Sequence, residues 1–254
     1  MPTYREEGIV IRKKDFGEAD KILTIYTRDR GRVVAFAPGA RRITSRKASA
    51  TELFTHGIYF LSQGKEMDTI TESEVLNSFY PLRDDLTKAA LAFYLAELLG
   101  YLVVDSQPNY SVYRLFLESI SLLSRAKRRH ELWIRAFEIK ALTQLGFGPE
   151  LFQCAHCTEP LSAEKYFQAN LGGMVCRDCF EDGILLTDEQ LLFIRDLSRL
   201  NWNELSRLRF EDHHLTDSEK ILSYYLREIL EKEIAASDFV RQAKQELVVA
   251  GQIP

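Results

Sequence analysis

Four cysteines, the only ones in 254 residues, fall within 26 of them as Cys154-Ala-His-Cys157 and Cys176-Arg-Asp-Cys179. The spacing C-x2-C-x18-C-x2-C restricts the local fold more than any other feature of the chain. Each C-x2-C turn aims two sulfurs at one centre, and two such knuckles supply four thiolates to a tetrahedral ion at about 2.3 Å. Between them, Lys165–Ala169, Asn170-Leu171-Gly172-Gly173 and Met174-Val175 read as a β-hairpin whose glycines permit a tight turn, as in a zinc ribbon. The expected ligands are Cys154, Cys157, Cys176 and Cys179, holding a structural Zn2+. Four sulfurs complete its sphere, leave no position for water and make His156 redundant. A redox dithiol pair, disulfides and free thiols are the competing readings. Disulfides fit poorly with an N-terminus that has no apolar signal-peptide core, and free thiols predict no clustering.

The segments on either side differ in period. Gly8–Lys14, Asp20–Arg28, Arg32–Ala37, Thr55–Leu61 and Asp68–Leu76 carry β-branched and aromatic residues in short runs, with a turn at Asp29-Arg30-Gly31. Five short strands in about 75 residues fit a small barrel, with the five-stranded OB architecture foremost. Pro38–Ala50, rich in Gly, Ser and Arg, reads as a mobile basic loop. From Pro81 the spacing becomes helical: one helix over Leu86–Gly100, a second over Ser111–Arg125, and a third over Glu131–Leu145, ended by Gly146. Thr187-Asp-Glu-Gln190 is a capping box for a helix reaching Leu200. Thr216-Asp-Ser-Glu219 is another, opening Lys220–Lys232, with His213-His214 in a polar loop before it. The expected class is α+β: an OB barrel over residues 1–80, a helical domain over 81–150 and 185–254, and a zinc-ribbon-like insertion over 151–184.

The net charge of −4 conceals a strong asymmetry. The first 47 residues hold twelve basic and six acidic side chains, and the remaining 207 hold 21 basic and 31 acidic. A basic end on an acidic body points to nucleic acid at that end, against the plainer reading of a solvated charged face. The phosphate candidates are Arg12, Lys13, Lys14, Arg28, Arg30, Arg32, Arg41, Arg42, Arg46 and Lys47. Phe16, in a polar turn, is the preferred base-stacking residue. Tyr26 and Phe36 alternate with apolar neighbours and fit the barrel core equally well. Glu18 and Asp20 are expected to cap or orient the turn after Phe16. A second basic cluster, Arg125, Lys127, Arg128 and Arg129, is a candidate partner-binding site and equally a solvated helix end. Leu91, Tyr94, Leu95, Leu98, Leu115, Phe116 and Ile120 are core by default, although an exposed apolar groove there would suit an acidic tail ending in apolar residues.

Nothing in the sequence argues for catalysis. The five histidines form no H-E-x-x-H, and there is no nucleophile elbow, P-loop or dinucleotide fingerprint. No apolar run approaches the roughly 18–20 residues of a membrane span. A soluble cytoplasmic protein is the expectation.

The N-terminal block then becomes recognisable as a pattern. Ile9-Val10-Ile11-Arg12-Lys13-Lys14-Asp15-Phe16-Gly17-Glu18-Ala19-Asp20-Lys21-Ile22-Leu23 leads to Thr27-Arg28-Asp29-Arg30-Gly31-Arg32, Ala37-Pro38-Gly39-Ala40-Arg41-Arg42 and Ser45-Arg46. Tyr94-Leu95-Ala96-Glu97-Leu98, Arg135-Ala136-Phe137-Glu138-Ile139-Lys140 and Leu145-Gly146-Phe147-Gly148-Pro149 follow, ahead of the paired C-x2-C. Over residues 8–180 the chain resembles the bacterial RecO family of DNA repair and recombination mediators. The resemblance implies an OB fold, a helical domain and a zinc module. It implies binding of single- and double-stranded DNA, ATP-independent strand annealing, and no enzymatic activity. The implied partners are RecR, the C-terminal tail of single-stranded DNA-binding protein and, indirectly, RecA, in the bacterial cytoplasm at the nucleoid. Pro38 departs from the small or polar residue common there. The competing reading is a zinc-containing scaffold without direct DNA annealing.

Overall fold

The computed structural model describes residues 2–231, 234–237 and 240. The chain packs into two compact units, Met1–His130 with Ile234–Pro254, and Glu131–Glu233.

The first unit is built on a closed five-stranded barrel. Its strands are β1 (Thr3–Phe16), β2 (Asp20–Thr27), β3 (Gly31–Ala37), β4 (His56–Ser62) and β5 (Asp68–Asn77), in the order β1-β2-β3-β5-β4. Antiparallel pairing of β4 with β1 and a short parallel contact of β3 with β5 close the circle, which is the OB arrangement. β1 does two jobs: its first half pairs with β4 and its second with β2, with a register shift between Val10 and Arg12. Val10, Leu23, Ile25, Ala35, Ala37, Tyr59, Leu61 and Ile70 fill the interior. Tyr59 is wholly buried, and its hydroxyl donates to the Ala50 carbonyl at 2.9 Å. The five strands lie close to where the alternation places them, except that β1 begins five residues before Gly8 and runs two past Lys14, so that Phe16 is its last residue, paired with Asp20, and not part of the turn. Charge hides the N-terminal extension: Glu6 is buried there and paired with Arg30 at 3.1 Å.

Three helices follow in this unit: α1 (Pro81–Asp84), α2 (Leu86–Leu102) and α3 (Tyr110–Arg125). Asp85 and Asn109 cap α2 and α3, accepting from Lys88 and Val112 backbone N–H groups. α2 is apolar on nearly every side. Leu91, Tyr94, Leu95 and Leu98 are buried, as are Leu115, Phe116 and Ile120 of α3, so these residues form core and no open groove. α3 lies over the barrel wall. Tyr26 is fully buried beneath it, its ring 6.1 Å from Tyr113 and 6.3 Å from Phe116. In the β2–β3 turn, Gly31 has φ +67, and a Cβ there would meet the Gln107 carbonyl at 2.6 Å, so the turn admits only glycine. The carboxylate of Glu97 in α2 accepts the backbone N–H groups of Ala235 and Ala236 at 3.1 and 2.7 Å.

The second unit contains α4 (His130–Gln144), a three-stranded sheet, and the helices α5 (Asp188–Arg199), α6 (Trp202–Arg207) and α7 (Asp212–Leu230). The sheet has the order β7-β6-β8, from β6 (Lys165–Gln168), β7 (Gly173–Cys176) and β8 (Ile184–Leu185). The hairpin and the Thr187–Gln190 capping box are as expected. α6 is an addition to the expected helices, although Asn201 and Glu204 form a complete capping box before it. Trp202 there packs edge-on to Trp133 of α4, and Lys140 donates to the Ser198 and Leu200 carbonyls just ahead of it. α7 starts at Asp212, eight residues before the expected Lys220. Its box is Glu211 with His214, so His213 and His214 are first-turn residues and no loop separates them from the helix. Lys232, the expected end of that helix, lies outside the described residues. No helix among the described residues is long and apolar enough to cross a membrane.

Candidate metal centre and nucleic-acid interface

The first knuckle is shaped by backbone hydrogen bonds. Cys154 N–H donates to the Glu159 carbonyl at 2.9 Å, and Thr158 N–H returns to the Cys154 carbonyl at 2.9 Å. The β6–β7 hairpin brings the second pair to it, with Ala155 N–H donating to the Met174 carbonyl at 2.7 Å. Gly173 permits the approach, since a Cβ at that position would lie 2.2 Å from the Glu150 carbonyl oxygen. Val175, Leu161, Leu171 and the stacked pair Tyr166–Phe180, 3.8 Å apart, surround the sulfurs.

The result is one cluster of four thiols with no disulfide, each sulfur within 4.8 Å of the others. Cys157 Sγ and Cys176 Sγ are 3.8 Å apart. Thiolates at about 2.3 Å from a tetrahedral ion stand about 3.8 Å from one another, so the donor set fits such an ion. Burial pushes the Cys154 thiol up, but N–H groups of Cys157, Cys176 and His156 outweigh it and bring the group down to about 6. Cys179, hydrogen-bonded to Cys176 and Cys157, is pushed up to about 12. Backbone N–H groups directed at the Cys154 sulfur, that of Cys176 at 3.4 Å among them, favour its thiolate, the form that ligates a metal. His156 is not part of the cluster.

The N-terminal cations separate into two groups. At the β2–β3 turn they have acidic partners, although Arg28 and Arg30 are exposed: Arg28 lies 3.7 Å from Glu7 and over the Tyr110 ring, Arg30 pairs with Glu6 over Tyr4, and Arg32 pairs with Asp105 and donates to the Gly100 carbonyl. Glu7 also takes hydrogen bonds from His56 and Tyr113, and these, with the Arg28 charge, bring its carboxyl below the ordinary value despite burial. Lys13 is likewise engaged with Glu52.

At the other end of the barrel the cations face solvent. Arg12, Lys14, Arg41, Arg42 and Arg46 are exposed, and Arg12, Lys14, Arg42 and Arg46 make no ion pair among the described residues. The registers Arg12↔Thr24↔Val34 and Lys14↔Ile22↔Phe36 place two of them on one barrel face with Val34 and Phe36. Phe16 stands beside Phe36, edge to face at 5.9 Å, and is half exposed. The basic loop is a succession of turns, Arg42 N–H to Gly39, Ser45 to Arg42 and Ala48 to Ser45, held to the β1–β2 turn by Asp20, which accepts the Gly39 N–H at 2.7 Å. Asp20 therefore orients the loop opposite it. Arg41 reaches the Gly17 carbonyl and Asp15. Lys47 bends inward to the Ile70 carbonyl at 3.0 Å. Ile43, at the loop's tip, is fully exposed, and no periodicity in the sequence marks it. Arg125, Lys127, Arg128 and Arg129 are all exposed at the end of α3 and just beyond it.

Comparison with known proteins agrees with this layout. Residues 1–79 match the family described as Recombination protein O N terminal, and residues 83–238 match Recombination protein O C terminal. The chain is 35% identical over 245 residues to the DNA repair protein RecO of Pelotomaculum thermopropionicum, covering 94% of each chain. It is 34% identical over 246 residues to that of Symbiobacterium thermophilum, covering 94% of this chain and 97% of the relative. It is 28% identical over 244 residues to that of Acetivibrio thermocellus, covering 95% of this chain and 97% of the relative.

Proposed function

The chain belongs to the RecO family, and from that premise we propose that it is a strand-annealing mediator whose working surface is the Phe16–Phe36 face of the barrel. Family membership carries the role in DNA repair and recombination. The observation that supports the finer reading is the partly exposed aromatic pair bordered by exposed cations at one end of the barrel. Annealing requires two polyanions to be brought together without either being held irreversibly. Exposed Arg12, Lys14, Arg41, Arg42 and Arg46 neutralise phosphates and release counterions, giving a sequence-tolerant, salt-sensitive attachment. Phe16 offers a π face to an unpaired base, with Phe36 supporting its edge. Arg28, Arg30, Arg32 and Lys13 serve the fold in this reading. The attachment needs no ATP, and we assign the chain no catalytic step.

The cysteine cluster holds Zn2+ in this reading, as a structural ion that fixes the knuckles around the β6–β7 hairpin. The barrel corresponds to residues 1–80, the ribbon to 151–184, and the helical regions to 81–150 and 185–254. RecR, the C-terminal tail of single-stranded DNA-binding protein and, through them, RecA loading are the partners the family reading brings. Arg125, Lys127, Arg128 and Arg129 are the exposed cations that an acidic tail would meet, and the setting is the bacterial cytoplasm at the nucleoid.

Annealing of complementary oligonucleotides, bare and coated with single-stranded DNA-binding protein, tests the reading. Acceleration in both cases is expected. A protein that accelerates neither, while folded and metal-loaded, is a scaffold instead.

A further inference from the structure

The first turns of α5 and α7 bring Glu189, His213 and His214 together, with one donor atom from each within 4.8 Å of the other two. The two turns are fixed to each other. Gln190 Nε2 donates to Asp217 Oδ2 at 2.9 Å, and the Phe193 ring packs against His214 at 5.4 Å and Phe210 at 5.1 Å. The two imidazoles lie against each other with centroids 4.0 Å apart.

Glu211 attends both rings. His214 Nδ1 is 3.2 Å from the Glu211 backbone N–H, which donates to it in the α7 cap, and 3.2 Å from the Glu211 carbonyl oxygen; His213 Nδ1 is 3.4 Å from Glu211 Oε2. A proton on His213 Nδ1 faces the Glu211 carboxylate, which leaves Nε2 with a free lone pair; His214 reaches the same tautomer by turning its Nδ1 from the Glu211 N–H to the Glu211 carbonyl. Metal-ligating histidines are held in this way, with the second ring nitrogen donating to a carbonyl or carboxylate. The Glu189 carboxylate makes no hydrogen bond or ion pair among the described residues, so nothing competes for its oxygens.

We propose that Glu189, His213 and His214 form a second divalent-metal site, separate from the four cysteines, which takes Zn2+ or another borderline first-row ion. Two imidazole nitrogens and one carboxylate oxygen suit that class, whereas Mg2+ and Ca2+ favour all-oxygen sets. Ligands at about 2.0–2.1 Å from a tetrahedral ion stand about 3.3 Å apart. Glu189 and His213 are exposed, and their side chains are free to close the remaining distance. Three protein ligands leave a coordination position for water, unlike the closed cysteine set. The ion joins α5 to α7 and stabilises the folded state in proportion to its occupancy. Exposure makes this the weaker site, filled after the cysteines.

The test uses the full chain without an affinity tag, loaded with one equivalent of Zn2+. Calorimetric titration with Zn2+ is expected to show a second equivalent, and titration with Co2+ to give visible d–d bands without new thiolate charge transfer. The double variant Glu189→Gln, His213→Ala is expected to lose the second equivalent and keep the first, with an unchanged circular dichroism spectrum. A tenfold excess of Mg2+ is expected to leave the second equivalent in place. No binding beyond one equivalent, survival of the second in the double variant, or its displacement by Mg2+ would overturn the proposal.

Discussion

Lys21 Nζ lies 2.7 Å from Glu52 Oε1, and the carboxylate that neutralises this buried cation also pairs with Lys13. One acidic side chain thereby holds two strands of the barrel to the segment that follows the basic loop. Burial pushes the Glu52 carboxyl up, but hydrogen bonds and charge from Lys13 and Lys21 outweigh it and hold the group below its ordinary value. The stabilisation is therefore complete above the ordinary carboxylate pKa and is lost as pH falls through the depressed folded value. Glu52 is a third exposed, so solvent screens part of the interaction. Glu52→Gln is expected to cost about 1–3 kcal/mol at neutral pH, chiefly through the uncompensated Lys21. Urea unfolding against pH checks this: the gap between the two proteins should narrow in acid, and a constant gap would disprove the linkage.

The division of the arginines predicts unequal responses to charge reversal. Arg41→Glu with Arg42→Glu should weaken single-strand binding and lower the salt slope by roughly one for each phosphate no longer neutralised. Arg30→Ala should leave that slope unchanged and lower the melting temperature, because its partner Glu6 is buried. Fluorescence anisotropy over a salt series, beside thermal melts, distinguishes them. Equal slopes for all variants would mean that the exposed end is not the DNA surface.

Phe16→Ala should weaken single-strand affinity by about 1–3 kcal/mol, the range for one base–aromatic stack, with a smaller effect on duplex. Its exposure makes a folding defect slight. Tyr26→Phe should leave DNA binding unaltered, because that ring is buried beneath α3. Equal losses on single strand and duplex from Phe16→Ala would argue against stacking.

Metal removal should act locally. Chelation, or Cys176→Ser, is expected to expose the ribbon between Leu151 and Leu186 to protease while the barrel keeps its hydrogen-exchange protection, since the barrel core shares no residue with the cysteine cluster. Elemental analysis of the untreated protein should find at least one zinc per chain. Unfolding of the barrel along with the ribbon would contradict this separation.

The barrel and the ribbon are legible in the sequence because their signals are local: alternation in the strands, cysteine spacing in the knuckles. What stays hidden there depends on distant partners. Lys13 and Lys14 are adjacent and chemically alike, yet the pleat sends one to Glu52 and the other to solvent. The sequence offers Arg28, Arg30 and Arg32 as phosphate candidates and gives no sign that Glu7, Glu6 and Asp105 stand beside them. Tyr26 and Phe36 share the alternating pattern, and only the packing of α3 over one of them decides which reaches solvent. The start of α7 escapes pattern reading because Glu211 and His214 form its cap in place of the usual hydroxyl and carboxamide or carboxylate pair.

The two backbone N–H groups held by Glu97 belong to residues 138 and 139 positions later in the chain. During synthesis the barrel strands and α2 leave the ribosome long before Ala235 and Ala236 exist, and at about 5–20 residues per second that interval lasts several seconds or more. For that time the Glu97 carboxylate stands at the surface of a nascent domain with its eventual occupants still unmade. The first unit to emerge is thus the last to be completed.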